Sequence, residues 1–375
     1  MLDLEFSSEQ TMLKETLRDL FDAEAPLTAV RDLEDDPRGY STELWAKLGE
    51  LDVIGLMLPE NHGGSGMSLI EGVALYEELG RLLTPTPHLV SAVIGGGLLA
   101  RAGSDEQVAQ WLPGIAAGST IFSVAWLEPE NGSSARGVQM MATPNAEGYT
   151  LTGTKRHVAF ASSADQLIVL ARTGNAPTDI DLFLIDPKAS GVRLEQKFTI
   201  ASDAQYDVYF DNVVVTDADR LGETGSGWKV WSKVLEEVWV LSAAFAVGAA
   251  QYAQEITVQY SKDRQQFDKP IGSFQSLSHY MADAQTAIDG AEQLVHEAAW
   301  ASSVGNPINK LAPMAKLFAC RTFRDLTATA QQIFGGIGFT VDFDIQLYFR
   351  RAKALQLSWG DDRALSEAVA SAVLD

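Results

Sequence analysis

Apolar positions recur at helical spacing through the first stretch of the chain. After Ser7-x-x-Gln10, residues Met12, Leu13, Leu17, Leu20 and Phe21 share one helical face, and the Ser-x-x-Gln string has the form of a capping box. Pro26 closes that segment. Ser68-x-x-Glu71 and Ser104-x-x-Gln107 predict two further helix starts, with the turn-rich Pro59-Glu60-Asn61-His62-Gly63-Gly64-Ser65-Gly66 between the first two of these three signals. From Ile121 the pattern changes to short runs of β-type residues, at 149–154, 166–171, 181–185, 206–210 and 213–215. Gly, Pro, Asn and Asp separate them, which predicts an antiparallel unit. After Gly225-Ser226-Gly227-Trp228 the helical period returns and persists to Asp375. The pattern therefore predicts an α+β chain of three parts: a helical domain over 1–119, a β-domain over 120–224 and a helical domain over 225–375. No repeat of solenoid period is visible.

A chain of 375 residues that is 46% hydrophobic can bury a full core. Its 28 basic and 50 acidic residues leave a formal charge of −22, which disfavours nucleic acid or an anionic membrane as partner. A single cysteine, Cys320, excludes an internal disulfide, and the five histidines show no metal-ligand spacing, so no metal is expected. The opening Met1-Leu2-Asp3-Leu4-Glu5 lacks a basic leader region. The longest nearly apolar runs, 89–100 and 238–250, fall short of the roughly 18 residues of a membrane span. A soluble, cytoplasmic protein is expected.

The candidate chemistry is concentrated late in the chain. Gln332-Ile333-Phe334-Gly335-Gly336-Ile337-Gly338-Phe339 places three glycines in an apolar, helix-forming region, at roughly 1 kcal/mol each against alanine. That is tolerable where backbone must approach a ligand or another chain closely. Upstream lies Arg264-Gln265-Gln266-Phe267-Asp268-Lys269-Pro270-Ile271-Gly272-Ser273-Phe274-Gln275. In this order the two strings resemble the flavin-contacting segments of the acyl-CoA dehydrogenases, with Asp268 where glycine is usual. The resemblance covers nearly the whole chain, including Pro59 to Gly66 and Tyr209-Phe210-Asp211-Asn212-Val213. It implies an N-terminal helical domain, a middle antiparallel β-domain and a C-terminal four-helix bundle. It also implies FAD as cofactor, held across a subunit interface by Arg264, Phe267, Gln275, Gln332, Gly335 and Gly336. A planar guanidinium suits a pyrophosphate in a way a lysine would not.

The other half of the family's flavin site comes from the β-domain. Leu127-Glu128-Pro129-Glu130-Asn131-Gly132-Ser133-Ser134 keeps the Glu-Pro and Gly-Ser of a Thr-Glu-Pro-x-x-Gly-Ser-Asp loop, but not its threonine or aspartate. Lys155-Arg156-His157-Val158-Ala159 stands where the family has a Trp-Ile-Thr strand. By this resemblance Ser133 and His157 are flavin contacts, and Ala159 has no side-chain hydrogen bond to give.

The reaction the resemblance implies removes a proton beside a thioester carbonyl while hydride passes from the next carbon to the flavin. A positioned carboxylate base contributes a factor of roughly 10² to 10⁴. The family places its glutamate at one of two points, which fall here on Val238 and Trp359; neither side chain accepts a proton. Trp239 neighbours the first. Glu236 and Glu237 precede it, each turned by about 100° per residue around the helix; Asp361 and Asp362 follow Trp359. Glu237 and Asp361 are the weak candidates for a relocated base. Trp359 and Trp239 are alternatively expected to fill the volume where acyl chain and base would meet.

The flavin half-site donated across an interface is thus intact, while the half serving a chain's own chemistry is altered. The resemblance implies the base-less subunit of a heteromeric acyl-CoA dehydrogenase of lipid or steroid catabolism, clamping flavin for a paralogous partner. The alternatives are a self-sufficient homotetramer with a relocated carboxylate and a flavin-free scaffold subunit. Expected partners are an acyl-CoA, subunits of a homo- or heterotetramer, and an electron-transfer flavoprotein as acceptor.

Overall fold

The computed structural model describes residues 4–374. In chain order, α1 (Ser8–Glu24), α2 (Leu27–Asp32), α3 (Thr42–Glu50) and α4 (Leu69–Arg81) come first. A π-helical stretch, Leu89–Gly96, runs into α5 (Gly97–Ala102), followed by α6 (Asp105–Ala116). Then come β1 (Phe122–Ala125), β2 (Ala142–Pro144), β3 (Tyr149–Ala159) and β4 (Gln166–Arg172). These are followed by β5 (Ile180–Ile185), β6 (Val192–Lys197), β7 (Gln205–Val215) and β8 (Arg220–Leu221). The long α7 (Gly227–Asp263) leads to a small hairpin of β9 (Gln265–Gln266) and β10 (Lys269–Pro270). The chain closes with α8 (Gln275–Ser303), α9 (Leu311–Phe334), α10 (Ile345–Leu357) and α11 (Asp362–Leu374). The class is α+β. All three sequence-marked helix starts carry capping boxes, at Ser7/Gln10, Ser68/Glu71 and Ser104/Gln107, each satisfying donors that the first turn leaves open.

Two compact units form. One comprises Asp32–Met67 and Pro85–Val238. Its strands make two four-stranded sheets, in the orders β1-β4-β5-β8 and β2-β3-β7-β6. Pairing within them is antiparallel except between β1 and β4, where Phe122 lies opposite Gln166 in a parallel pair. Every residue of β5 is buried, including Asp181 near its start, as in a strand covered on both faces. Leu151, Val158, Val169, Phe183, Val208 and Phe210 lie in the core that the strands share. The β3–β7 register shifts between Lys155 and Val158, so Arg156 and His157 sit in a bulge, a device that re-aims side chains.

The other unit comprises residues up to Arg31, Ser68–Thr84 and the chain from Trp239 onward. Here α1 packs on α4, α4 on α8, α8 and α10 on α9, and α11 on α9. The α4 and α7 backbones touch at two glycines. A Cβ on Gly80 would lie 2.1 Å from the Phe245 carbonyl oxygen, and one on Gly248 would lie 1.8 Å from that of Glu77. Only hydrogen fits at either place.

The apolar runs at 89–100 and 238–250 understated one element: α7 as a whole is long and apolar enough to cross a membrane. Since 72% of its most apolar window is buried, it reads as a core helix.

Candidate active site

The β9–β10 hairpin turns on Phe267 and Asp268, at φ 54° and 62°. Two consecutive left-handed residues make a type I′ turn, which prefers glycine at its second place; Asp268 tolerates that conformation better than most residues. Phe267 is 85% exposed at the tip. Arg264, also exposed, precedes β9, and its carbonyl accepts the Ile271 amide at 2.8 Å. Behind the hairpin, Ile271, Met281 and Ile333 form a small apolar cluster with Tyr260 and Phe274. The Tyr260 ring stacks on Phe334 at 4.2 Å and 11°. These contacts bring together the hairpin, Gln275 at the first position of α8, and the last turn of α9 that carries Gln332.

α9 ends at Gly335, whose φ of 66° and ψ of −145° occupy a region essentially reserved for glycine. Gly336 is different: a Cβ there would meet nothing within 4 Å, so packing in this chain does not demand its glycine. Beneath the turn, the buried Gln331 amide has no partner for either its nitrogen or its oxygen among the described residues. Buried amides are normally satisfied. Open space above two glycines, an exposed guanidinium and an exposed aromatic fit the edge of a large planar cofactor.

In the unit holding the sheets, Glu128 organises the second cluster. Its carboxylate accepts from Lys155 Nζ at 2.7 Å, from the Met140 amide at 2.9 Å and from the Gln139 amide at 3.0 Å. Lys155 is fully buried. Burial pulls its pKa down to about 8, with the Glu128 charge pulling back. The Arg156 amide donates to the Leu127 carbonyl at 2.8 Å. The Leu127-to-Ser134 loop and the His157 bulge are thereby fastened side by side. Ser133 is half-buried, and His157 is exposed with φ 53°. Both belong to a well-braced platform, while Ala159 presents only a methyl.

At the two base positions, Val238 is fully buried and Trp359 is half-buried with φ 58°. The Trp239 indole Nε1 donates to the Trp359 carbonyl at 2.6 Å. Glu237 forms an ion pair with Arg101 at 2.5 Å; burial raises its pKa against the pull of that guanidinium. Glu236 pairs with Lys233. Asp361 accepts the Ala364 amide at 2.9 Å, capping α11, and is exposed. Asp362 is held by Arg321 at 2.8 Å and by Gln356 at 2.9 Å. Each nearby acid thus has a structural partner.

Sequence reasoning missed Lys155, Tyr260 and Lys316. Lys316 was detectable, because it shares the buried helical face of Ala312, Cys320 and Phe323. Lys155 lies among residues whose alternation the bulge breaks, and no local signal marks it as buried.

Three family models match in succession: "Acyl-CoA dehydrogenase, N-terminal domain" over residues 7–119, "middle domain" over 123–213 and "C-terminal domain" over 225–374. The chain is 30% identical to the probable acyl-CoA dehydrogenase YngJ of Bacillus subtilis, covering 96% of each protein. Among solved structures, butyryl-CoA dehydrogenase from Megasphaera elsdenii superposes with a TM-score of 0.92 at 27% identity over the full length of both chains. A chain of the ChsE4-ChsE5 complex from Mycobacterium tuberculosis superposes with a TM-score of 0.90 at 27% identity, covering 100% of this chain and 99% of that one. The chain belongs to the acyl-CoA dehydrogenase family, FAD-dependent oxidoreductases of acyl-CoA thioesters.

Proposed function

We propose that this chain is the base-less subunit of a mixed acyl-CoA dehydrogenase assembly, which holds FAD for a paralogous subunit that carries the glutamate. FAD, when bound, supplies the hydride acceptor. On this reading Arg264, Phe267, Gln275, Gln332, Gly335 and Gly336 hold its dinucleotide portion from across the interface. Ser133 and His157 are the remaining contacts of the altered half-site. One observation carries the reading: the turn at Trp359 has its carbonyl tied to the Trp239 indole and offers no carboxylate. Trp359 and Trp239 then occupy the volume a base and acyl chain would share. The heteromeric complex among the structural relatives supports the partnership, and an electron-transfer flavoprotein is the acceptor expected of the assembly.

Coexpression with a glutamate-bearing paralogue tests this directly. A stable mixed complex carrying half the flavin expected for one per chain supports it. One flavin per chain and normal turnover by the isolated protein would overturn it.

A second reading rests on Glu237, whose raised pKa suits a general base. The chain is then a self-sufficient homotetramer. Glu237→Gln would abolish flavin bleaching by an acyl-CoA under that reading, and would leave the mixed assembly's bleaching unchanged under the first. Purified complex without flavin absorbance would leave only a scaffold role.

A further inference from the structure

The turn at Trp359 is strained. Trp359 has φ 58° and Gly360 φ 107°, and for a bulky residue the left-handed region costs roughly 1–2 kcal/mol. Such strain persists only where the surroundings over-determine the conformation. Beneath the turn lies Lys316, on α9 and fully buried. Its Nζ donates to the Gly360 carbonyl at 3.0 Å and to the Leu355 carbonyl, in the last turn of α10, at 3.4 Å. No carboxylate lies within ion-pair distance of it among the described residues. A buried ammonium with no carboxylate in contact is costly, and burial lowers the Lys316 pKa against the more distant charges of Asp362 and Asp361. Its direct partners here are two backbone oxygens, one of them at the negative end of a helix dipole. A leucine or methionine would fill the same space more cheaply, so packing alone does not account for the charge. Both clamped oxygens belong to the turn or its approach, and the adjacent carbonyl, that of Trp359, is the one the Trp239 indole holds.

We propose that Lys316 is a positioning residue for Trp359: with the Trp239 indole, its ammonium fixes the strained turn in the conformation that keeps an aromatic ring at the base position. This rests on the reading of Trp359 given above. Lys316 acts through the turn and touches no substrate.

The experiment is hydrogen exchange on the purified full chain, comparing wild type with Lys316→Met and Lys316→Arg. The amides of Ser358, Ala364 and Leu365, which bond to Ala354, Asp361 and Asp361 respectively, report on the turn. In Lys316→Met they are expected to exchange at least tenfold faster, while amides of the β3–β7 ladder stay within twofold. Lys316→Arg, which keeps charge and donors, is expected to restore most of the protection. Uniform acceleration throughout the chain, or none at the turn, would overturn the proposal. Should Lys316→Met fail to accumulate, Trp239→Phe reads the same clamp from its other side. A tenfold rise confined to the turn supports the clamp, and unchanged exchange overturns it. The coexpression experiment is scored separately, so failure of the subunit reading and failure of the clamp are distinguishable.

Discussion

His296 on α8 joins the start of the chain to the helices beneath it. Its Nδ1 lies 3.0 Å from the Leu4 carbonyl and its Nε2 lies 3.0 Å from Glu77 Oε1. A carbonyl only accepts, and Glu77, which also pairs with Lys14, is held ionised. Burial would raise the Glu77 pKa, but the His296 and Lys14 contacts outweigh it. Both ring nitrogens therefore donate, and the ring is an imidazolium. Burial opposes that charge, the Glu77 carboxylate more than offsets it, and the pKa is raised. Glu292 also faces the pair, its own pKa raised by burial and by Glu77. The sign follows. A histidine whose folded pKa exceeds its unfolded value of about 6.5 contributes its full stabilisation below that pH and loses it as pH climbs through the folded value. Replacing His296 with Leu removes a charge-assisted bond worth about 1.5–3 kcal/mol and a neutral one worth about 1 kcal/mol. Side-chain exposures of 10% and 3% leave little solvent to compensate. The expected loss near pH 6 is about 3 kcal/mol, roughly two decades in the unfolding constant. Urea unfolding at pH 6 and pH 9 checks it: the stability difference between wild type and variant is largest at pH 6 and shrinks toward pH 9, as the imidazolium loses its proton. A variant curve parallel to wild type, or a loss under 1 kcal/mol at pH 6, would refute the reasoning.

Three further outcomes are expected. Lys155→Met leaves the Glu128 charge buried with only backbone and amide donors, and should cost about 3–5 kcal/mol, visible as lost amide protection over residues 127–140. Gly248→Ala drives a methyl into the Glu77 carbonyl and should cost at least about 3 kcal/mol or prevent accumulation, measured as soluble yield and melting temperature. Gly336→Ala meets open space in this chain, so its stability should stay within about 0.5 kcal/mol, while flavin retained by the assembled complex falls.

Much of the fold was legible because its signals are local. A capping box needs only four consecutive residues, and all three formed as read. Strands β3, β4, β5 and β7 followed from β-type runs between turn residues, with the runs at 206–210 and 213–215 joined into the single strand β7; β1, β2, β6 and β8 were not among those runs. The parallel β1–β4 pair did not follow either, because alternation records which face a side chain takes and carries no strand direction. At the candidate site, the Arg264-to-Gln275 and Gln332-to-Gly336 strings announced themselves through glycine and arginine chemistry. What joins them, the Tyr260–Phe334 stack, is a contact between residues 74 positions apart, and no local pattern encodes it. Lys155 was invisible for a related reason: a strand lysine reads as solvated until a glutamate from a distant loop is seen to cover it.

Cys320 lies one helical turn beyond Lys316, fully enclosed, and burial pushes its thiol pKa up. Since thiolate is the reactive form, the native polypeptide is effectively silent toward maleimides and other alkylating probes. A cysteine introduced at the Phe267 hairpin tip would be the sole labelling address, and a dye there would report directly whether that tip meets solvent or a neighbouring subunit.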